Sequence, residues 1–222
     1  MDGNTLGLDE KELVTRHMYN QTAYKWALTS DGIGLDGKFL WKEAMKKFHR
    51  LAKHAPAKDG RQQLLEVGFG TGRDAKFFST VYDYVGVDAS EAFLEIAQLA
   101  TSTLLNRDAF RLGSVYTLRN DFPAQSFDLF WSCATLLHCT KNRIQEALQS
   151  IRDVVVQDAV GFISLKKGDG EKPDYFDDLP RYFTYWQPEE FGRELSEAGF
   201  NILEFHEKPA RTPFLCYFVQ KA

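Results

Sequence analysis

The sequence predicts an α/β fold with a doubly wound, mostly parallel sheet, and three observations carry that prediction. The apolar run Leu64, Leu65 and Val67 breaks at Gly68, Gly70 and Gly72 and passes into a helical stretch, as in the strand-to-helix turn of a nucleotide-binding crossover. The next short apolar segment, 84–88, ends in Asp88, roughly 20 residues after the first glycine, the offset of a ribose-binding carboxylate. Amphipathic helical stretches then alternate with short apolar runs, as parallel strands joined by helices require.

The register of the glycines narrows the ligand. A dinucleotide fingerprint reads G-x-G-x-x-G, whereas here the last glycine falls one place early, at Gly72, and Arg73 stands where the third belongs. Glu66, two residues before Gly68, places a negative charge at the strand end, where it opposes a pyrophosphate and favours a cation. S-adenosylmethionine has no phosphate and carries a sulfonium and an ammonium, so the charge balance favours it over NAD. Asp88 is then set for the ribose hydroxyls, and Glu66 for the ammonium or for support of the glycine loop.

Length and composition bound the rest. With 222 residues and 44% hydrophobic content, the chain is expected to form one domain with a full core. A formal net charge of −4 gives no global attraction to phosphate backbones and makes nucleic acid the less favoured partner, with a local basic groove the only route to it. Cys133, Cys139 and Cys216 are odd in number and lack metal-ligand spacing, so neither a disulfide framework nor a metal site is expected, and a reducing cytoplasm fits best. No leader pattern and no run of bilayer length occurs, so no membrane partner is expected.

In chain order, 11–26 is read as a helix and turn over the ligand mouth, with Tyr19, Tyr24 and Trp26 as aromatic contacts or simply as anchors to the body. Residues 38–54 form an amphipathic helix: Leu40, Trp41, Ala44, Met45, Phe48, Leu51 and Ala52 share one face. Its other face, Lys42, Lys46, Lys47, His49, Arg50 and Lys53, is either a solvated face or an RNA stripe. Lys58, Asp59 and Gly60 turn the chain into the first strand. The first crossover helix spans 73–80, where Asp74 is expected to accept first-turn amides. Ser90 is placed to cap a helix over 91–105. A third strand, 110–112, leads to Ser114 and Val115, and 118–125 is expected to be irregular.

The fourth strand, 126–132, delivers Ser132 and Cys133 and then the segment 133–139 to the topological switch point, where ligands bind. His138 in that segment either serves an acceptor molecule or caps and packs. A helix over 142–155 and a fifth strand over 159–165 follow. The stretch 166–186 mixes charges with aromatics and is read as a substrate loop, or else as a surface connection packed on the sheet edge. Pro188, Glu189 and Glu190 open a last helix that Gly199 ends, and strands over 202–207 and 214–220 close the chain.

Residues 64–74 followed by Val85, Gly86, Val87, Asp88, Ala89 and Ser90 resemble the first two motifs of the class I S-adenosylmethionine-dependent methyltransferases, and the later order of elements is similar through to the C-terminus. The resemblance implies a seven-stranded, Rossmann-like sheet with an antiparallel C-terminal strand and an N-terminal helical cap. Residues 1–37 are then the cap segment and 38–222 the methyltransferase domain of one globular unit. It implies S-adenosylmethionine contacts at Glu66, Gly68, Phe69, Gly70, Gly72, Arg73, Asp88, Ala89, Ser90, Ser114, Val115, Ser132 and Cys133. A cap tyrosine, Tyr19 or Tyr24, is the counterpart of one that reaches the methionine carboxylate. On the acceptor side the resemblance places His138, to orient or deprotonate; the charged and aromatic character of the substrate loop adds Lys166, Arg181, Tyr182 and Tyr185.

No Asn-Pro-Pro-Tyr or Asp-Pro-Pro-Tyr tetrapeptide occurs, which argues against the amino-methylating nucleic-acid enzymes. The expected activity is methyl transfer to an O, N or S atom of a small molecule by in-line displacement. An RNA or protein methyltransferase, and a non-catalytic cofactor-binding partner subunit, are the alternatives.

Overall fold

The computed structural model describes residues 7–29, 41–57 and 60–222. Seven strands form the expected sheet: β1 (Gln63–Val67), β2 (Asp83–Asp88), β3 (Phe110–Leu112), β4 (Phe127–Cys133), β5 (Val155–Lys167), β8 (Phe200–Lys208) and β9 (Phe214–Lys221). They run β3-β2-β1-β4-β5-β9-β8, and β9 alone of these runs antiparallel to the other six. The alternation of buried residues along β4 and β5 sends Phe130, Ile163 and Leu165 into one apolar layer and Trp131 and Phe162 into the other, so both sheet faces are covered.

Two further strands correct the reading of 166–186 as a loop. β6 (Glu171–Phe176) and β7 (Leu179–Trp186) form an antiparallel hairpin turned by Asp177 and Asp178, both at positive φ. Lys166 pairs with Phe214 of β9 on one side and with Tyr185 of β7 on the other. The hairpin therefore occupies the β4 edge of β5 beyond the end of β4, standing over the crevice. The alternation Arg181, Phe183 against Tyr182, Thr184 is a strand period, hidden in the sequence among charges and aromatics.

The helices are α1 (Glu10–Thr29), α2 (Lys42–Ala52), α3 (Ala75–Val81), α4 (Glu91–Ala100), α5 (Leu118–Asp121), α6 (Ile144–Val154) and α7 (Pro188–Glu197). The cap helix is thus longer than 11–26, and α4 ends five residues before the expected 105. A short helix, α5, lies within the stretch expected to be irregular. Residues 30–40 and the Lys58–Asp59 part of the expected turn lie outside the described residues, so the start of the helix expected from 38, Leu40 included, is not described. The caps follow the sequence: the Ser90 hydroxyl accepts from the Phe93 amide at 3.2 Å, and Gly199, at φ 81°, follows the end of α7.

The basic face of α2 is paired in part, with Glu204 shared by two cations. Lys47 and Arg50 both reach Glu204 of β8, at 2.5 and 3.4 Å, Lys46 pairs with Glu43, and His49 Nδ1 lies 2.8 Å from the Tyr82 hydroxyl. No described helix is long and apolar enough to cross a membrane.

Candidate active site

A cavity of about 230 Å³ opens at the C-terminal ends of β1, β2 and β4 and is roofed by α1. The glycine turn forms its floor. Gly68, Gly70 and Gly72 take φ values of 81°, 54° and 75°, a region that side chains with a Cβ rarely enter. The Gly68 amide donates to the Val87 carbonyl at 2.7 Å, tying the turn to β2. Phe69 lines the cavity and packs edge-on against Phe110, with ring centroids 5.0 Å apart.

Asp88 is held by the turn it faces: its carboxylate accepts from the Gly70 amide and the Ser90 amide, each at 2.9 Å. Burial raises its pKa to about 6, against those amide bonds, which favour the ionised form. Ala89, Ser90, Ser114 and Val115 line the same side of the cavity. Ser114 spends its hydroxyl on local structure, accepting from the Tyr116 amide at 3.2 Å.

At the opposite end Glu66, Arg73, Asp74 and Cys133 meet. Glu66 is 2% exposed and accepts from the Tyr84 hydroxyl at 2.6 Å. Burial pushes its carboxyl well above the usual range, and the neighbouring Asp74 adds to the shift. Asp74 does not cap α3 with its side chain: its own backbone is already helical, so the carboxylate turns away and takes Arg73 Nε at 2.5 Å and Trp131 Nε1 at 2.9 Å. Ser132 is fully buried on the other side of β4 and is absent from the lining, because strand alternation sends its side chain away from Cys133.

The roof is bolted to the body by polar contacts that the sequence pattern did not announce. Asp9 and Glu12 exchange amide–carboxylate bonds at 2.9 and 3.0 Å, a reciprocal cap for α1. Glu12, 6% exposed, also accepts from the Tyr116 hydroxyl and from Arg143 Nη1 at 3.0 Å. Arg16 donates to the Ala89 carbonyl at 2.7 Å and to Glu91, and Asn20 accepts from the Ser90 hydroxyl at 2.6 Å. Glu12→Ala is expected to cost about 2–3 kcal/mol in denaturant unfolding, because Arg143 and Tyr116 lose a shared buried acceptor.

Of the two cap tyrosines, Tyr19 lines the cavity, whereas Tyr24, 66% exposed and one helical face away, does not. Tyr19 meets His138: its hydroxyl lies 3.0 Å from Nε2, while Nδ1 lies 2.9 Å from the Tyr182 carbonyl. A carbonyl only accepts, so Nδ1 carries the proton and Nε2 accepts from Tyr19. Burial drives the His138 pKa down to about 3, with Arg181 and Lys166 adding to the shift, so the ring is neutral at physiological pH.

The hairpin residues expected on the acceptor side stand behind this pair. Lys166, at the end of β5, and Arg181, Tyr182 and Tyr185 of the hairpin are absent from the lining: Lys166 and Arg181 lie over the Phe183 ring, and the Tyr182 ring faces Lys11. Arg181 holds Asp174 with two nitrogens, at 2.9 and 2.6 Å, and reaches the Tyr19 oxygen at 3.4 Å. Lys166 lies 3.7 Å over the Phe183 ring, whose face also stacks on His138. Glu12, Thr15, Arg16, Trp41, Asp74, Tyr116 and Thr135 line the cavity without having been singled out as site residues. The Asp9-x-x-Glu12 spacing was a readable signal for the first of these; nothing local marks Tyr116 or Thr135.

A sheet of this order, with one antiparallel strand and an acid-flanked glycine turn at its switch point, is the arrangement that the resemblance to the class I S-adenosylmethionine-dependent methyltransferases implies. Residues 64–158 match the family model described as a methyltransferase domain. No curated protein matches the sequence. Among solved structures it is similar to a Burkholderia thailandensis 1,6-didemethyltoxoflavin-N1-methyltransferase with bound 1,6-didemethyltoxoflavin and S-adenosylhomocysteine, at 18% identity and TM-score 0.76, over 97% of this chain and 92% of that one. It is also similar to the Synechocystis magnesium protoporphyrin IX methyltransferase with bound S-adenosylmethionine, at 13% identity and TM-score 0.71, over 98% and 100% of the two chains. A cyclase, SpnF, aligns at 18% identity and TM-score 0.69 over 95% of this chain and 96% of that one.

Proposed function

We propose that this enzyme transfers a methyl group from S-adenosylmethionine to an oxygen, nitrogen or sulfur atom of a small molecule. The cavity residues fit the cofactor. A Cβ added at Gly70 meets nothing within 4 Å, so the turn leaves open space that a side chain would fill. The acids at the two ends suit a ligand bearing a ribose and two cationic centres. Glu66 and Arg73 serve the amino-acid end with Gly68 and Gly72, Asp88 the ribose, and Ala89, Ser90, Ser114 and Val115 the adenine side; Tyr19 and Cys133 close the site. Bound there, S-adenosylmethionine supplies an electrophilic methyl on sulfur. The chain's remaining task in an in-line displacement is alignment and exclusion of water. Residues 1–37 act as the cap of a methyltransferase domain spanning 38–222, and the free cysteines suit a cytoplasmic protein.

One observation carries the choice of a small acceptor: α1 covers the crevice and packs on β7 of the overhanging hairpin, which leaves a partly covered cavity of about 230 Å³ at the strand ends. Pairing of Lys46, Lys47 and Arg50 with Glu43 and Glu204 also weakens the basic face of α2 as an RNA contact. The neighbours named for 1,6-didemethyltoxoflavin and magnesium protoporphyrin IX act on small molecules, which supports the same reading. Incubation with methyl-labelled cofactor and cell extract, followed by separation of small molecules, RNA and protein, tests it. Label is expected in the small-molecule fraction; label in RNA or protein would overturn the choice of acceptor, and tight cofactor binding without any label would favour a non-catalytic role.

His138 is the acceptor-side residue in this reading. Its unprotonated Nε2, which accepts from the Tyr19 hydroxyl, suits taking an acceptor O–H or N–H in that hydroxyl's place better than storing its proton, with so low a pKa. Lys166, Arg181, Tyr182 and Tyr185 support that ring and Tyr19 from the hairpin. His138→Ala is expected to lower kcat by roughly tenfold to a hundredfold and to leave cofactor affinity within about twofold. Unchanged turnover, measured with the acceptor that takes the label, would assign the ring to packing alone.

A further inference from the structure

One face of the sheet runs past the cavity and turns cationic beyond it. Ser164 of β5 contacts the cavity-lining Cys133, with its hydroxyl 3.7 Å from Sγ. Strand alternation puts Lys166 on that same face two residues further on. Its register partners are Phe214 of β9 and Tyr185 of β7, and Lys208 of β8 pairs with Phe214 in turn. Lys208, Phe214, Lys166 and Tyr185 therefore form one row across four strands, and Phe183 and Arg181 continue its face along β7. The chain as a whole is acidic, with a formal net charge of −4, so this positive face is local.

The cations rest on rings. Lys208 Nζ lies 5.8 Å from the centre of the Trp41 ring, and the Arg181 guanidinium 5.1 Å from that of Trp26; both tryptophans line the cavity. Trp41 packs edge-on against Phe214 at 5.2 Å. Two acids of the same face are already held: Asp174 by Arg181, and Glu204 by Lys47 and Arg50. Lys166 is partly buried, yet among the described residues its ammonium has neither a carboxylate in ion-pair contact nor a hydrogen bond. Burial and the neighbouring Arg181 both act against its charge. A half-desolvated cation beside a second cation is costly until an anion joins it.

Resting on the small-acceptor reading above, we propose that Lys166 binds an oxyanion of the acceptor, so that the substrate is a small acid, a carboxylate or a phosphate, methylated at a different atom. His138 and Lys166 share Phe183: the imidazole stacks on the ring at 5.1 Å, and the ammonium lies 3.7 Å from its centre. An acceptor whose O–H or N–H sits at His138 Nε2 thus has its charged group one aromatic ring away. The anion is the handle and not the nucleophile, and it persists in the product. Such a contact is made equally before and during methyl transfer, so it sets KM more than kcat.

The small-molecule product labelled in cell extract by the intact protein gives the first test. At about pH 8 it is expected to bind an anion exchanger; release at about pH 2.5 marks a carboxylate, and retention there a phosphate. With that acceptor purified, Lys166→Met, which keeps the stem over Phe183, should raise KM about ten- to a hundredfold and leave kcat within about threefold. Lys166→Arg should restore most of the loss, and added salt should raise KM more in the unaltered protein than in Lys166→Met. A neutral or cationic product, or an unchanged KM in Lys166→Met, overturns the proposal while the small-acceptor reading stands. A matching fall in S-adenosylmethionine affinity in Lys166→Met also overturns it, by assigning the lysine to the cofactor. Label in RNA or protein overturns both.

Discussion

Asp88→Ala should weaken S-adenosylmethionine binding by about 1.5–3 kcal/mol, roughly ten- to a hundredfold, the loss of hydrogen bonds to a charged group in a partly covered site. Two effects add in that direction. The ribose hydroxyls lose their acceptor, and the Gly70 and Ser90 amides, each 2.9 Å from the carboxylate, lose theirs, so the turn is no longer held in its ligand-free shape. Asp88→Asn separates the two, since the amide oxygen still accepts one backbone bond while the charge is gone. The pH dependence follows from the pKa of about 6. Above it the carboxylate is ionised and ready to accept; as pH falls below it the proton must leave before the ribose binds, so affinity should decline toward pH 5. The Asn variant should decline less over that window. Calorimetry reads both effects, and unchanged affinity in Asp88→Ala would remove the residue from the site.

The second large effect is expected at Gly68→Ala, with about 3 kcal/mol lost in urea unfolding and cofactor binding abolished. A Cβ there would sit 2.0 Å from Thr135 Oγ1, 2.3 Å from its Cγ2 and 2.6 Å from its Cβ, so rotating one hydroxyl cannot relieve the clash. The backbone is also at φ 81°, where any Cβ is strained. Gly68 and Thr135 mark the place where the turn after β1 crosses the segment after β4, so the displacement would spread to Ala134 and His138. Gly70→Ala is the informative contrast. With φ 54° and nothing within 4 Å of an added Cβ, it should cost only about 1 kcal/mol of stability, yet obstruct the cavity. Equal destabilisation by the two substitutions would show that backbone strain, and not the Thr135 contact, governs the turn.

Much of the fold was legible because its determinants are local or periodic. The strand–glycine–helix turn, the acid ending the second strand, the Ser90 cap and the Pro188 start each depend on residues within a few positions of one another. The hairpin at 171–186 was read as a loop because its charges and aromatics blur the two-residue period. Its strand character comes from pairing with β5, which no short window contains. The candidate site divides in the same way. Glu66 and Asp88 stand at strand ends and were predictable, whereas Tyr24 sits on a face of α1 turned away from the cavity.

By itself the sequence determined the class of fold, the cradle for an adenosine ligand, and the preference for a cationic cofactor, since these follow from glycine stereochemistry, strand offset and the sign of a few charges. Only the tertiary structure decided that Tyr19 bonds His138, that Glu12 bolts α1 to Tyr116 and Arg143, and that Tyr84 reaches Glu66. Those partners lie 119, 104, 131 and 18 residues apart. The physical reason is that hydrogen bonding and desolvation depend on distance and burial in space, and a chain folded around a sheet brings such residues together only once every strand is in register.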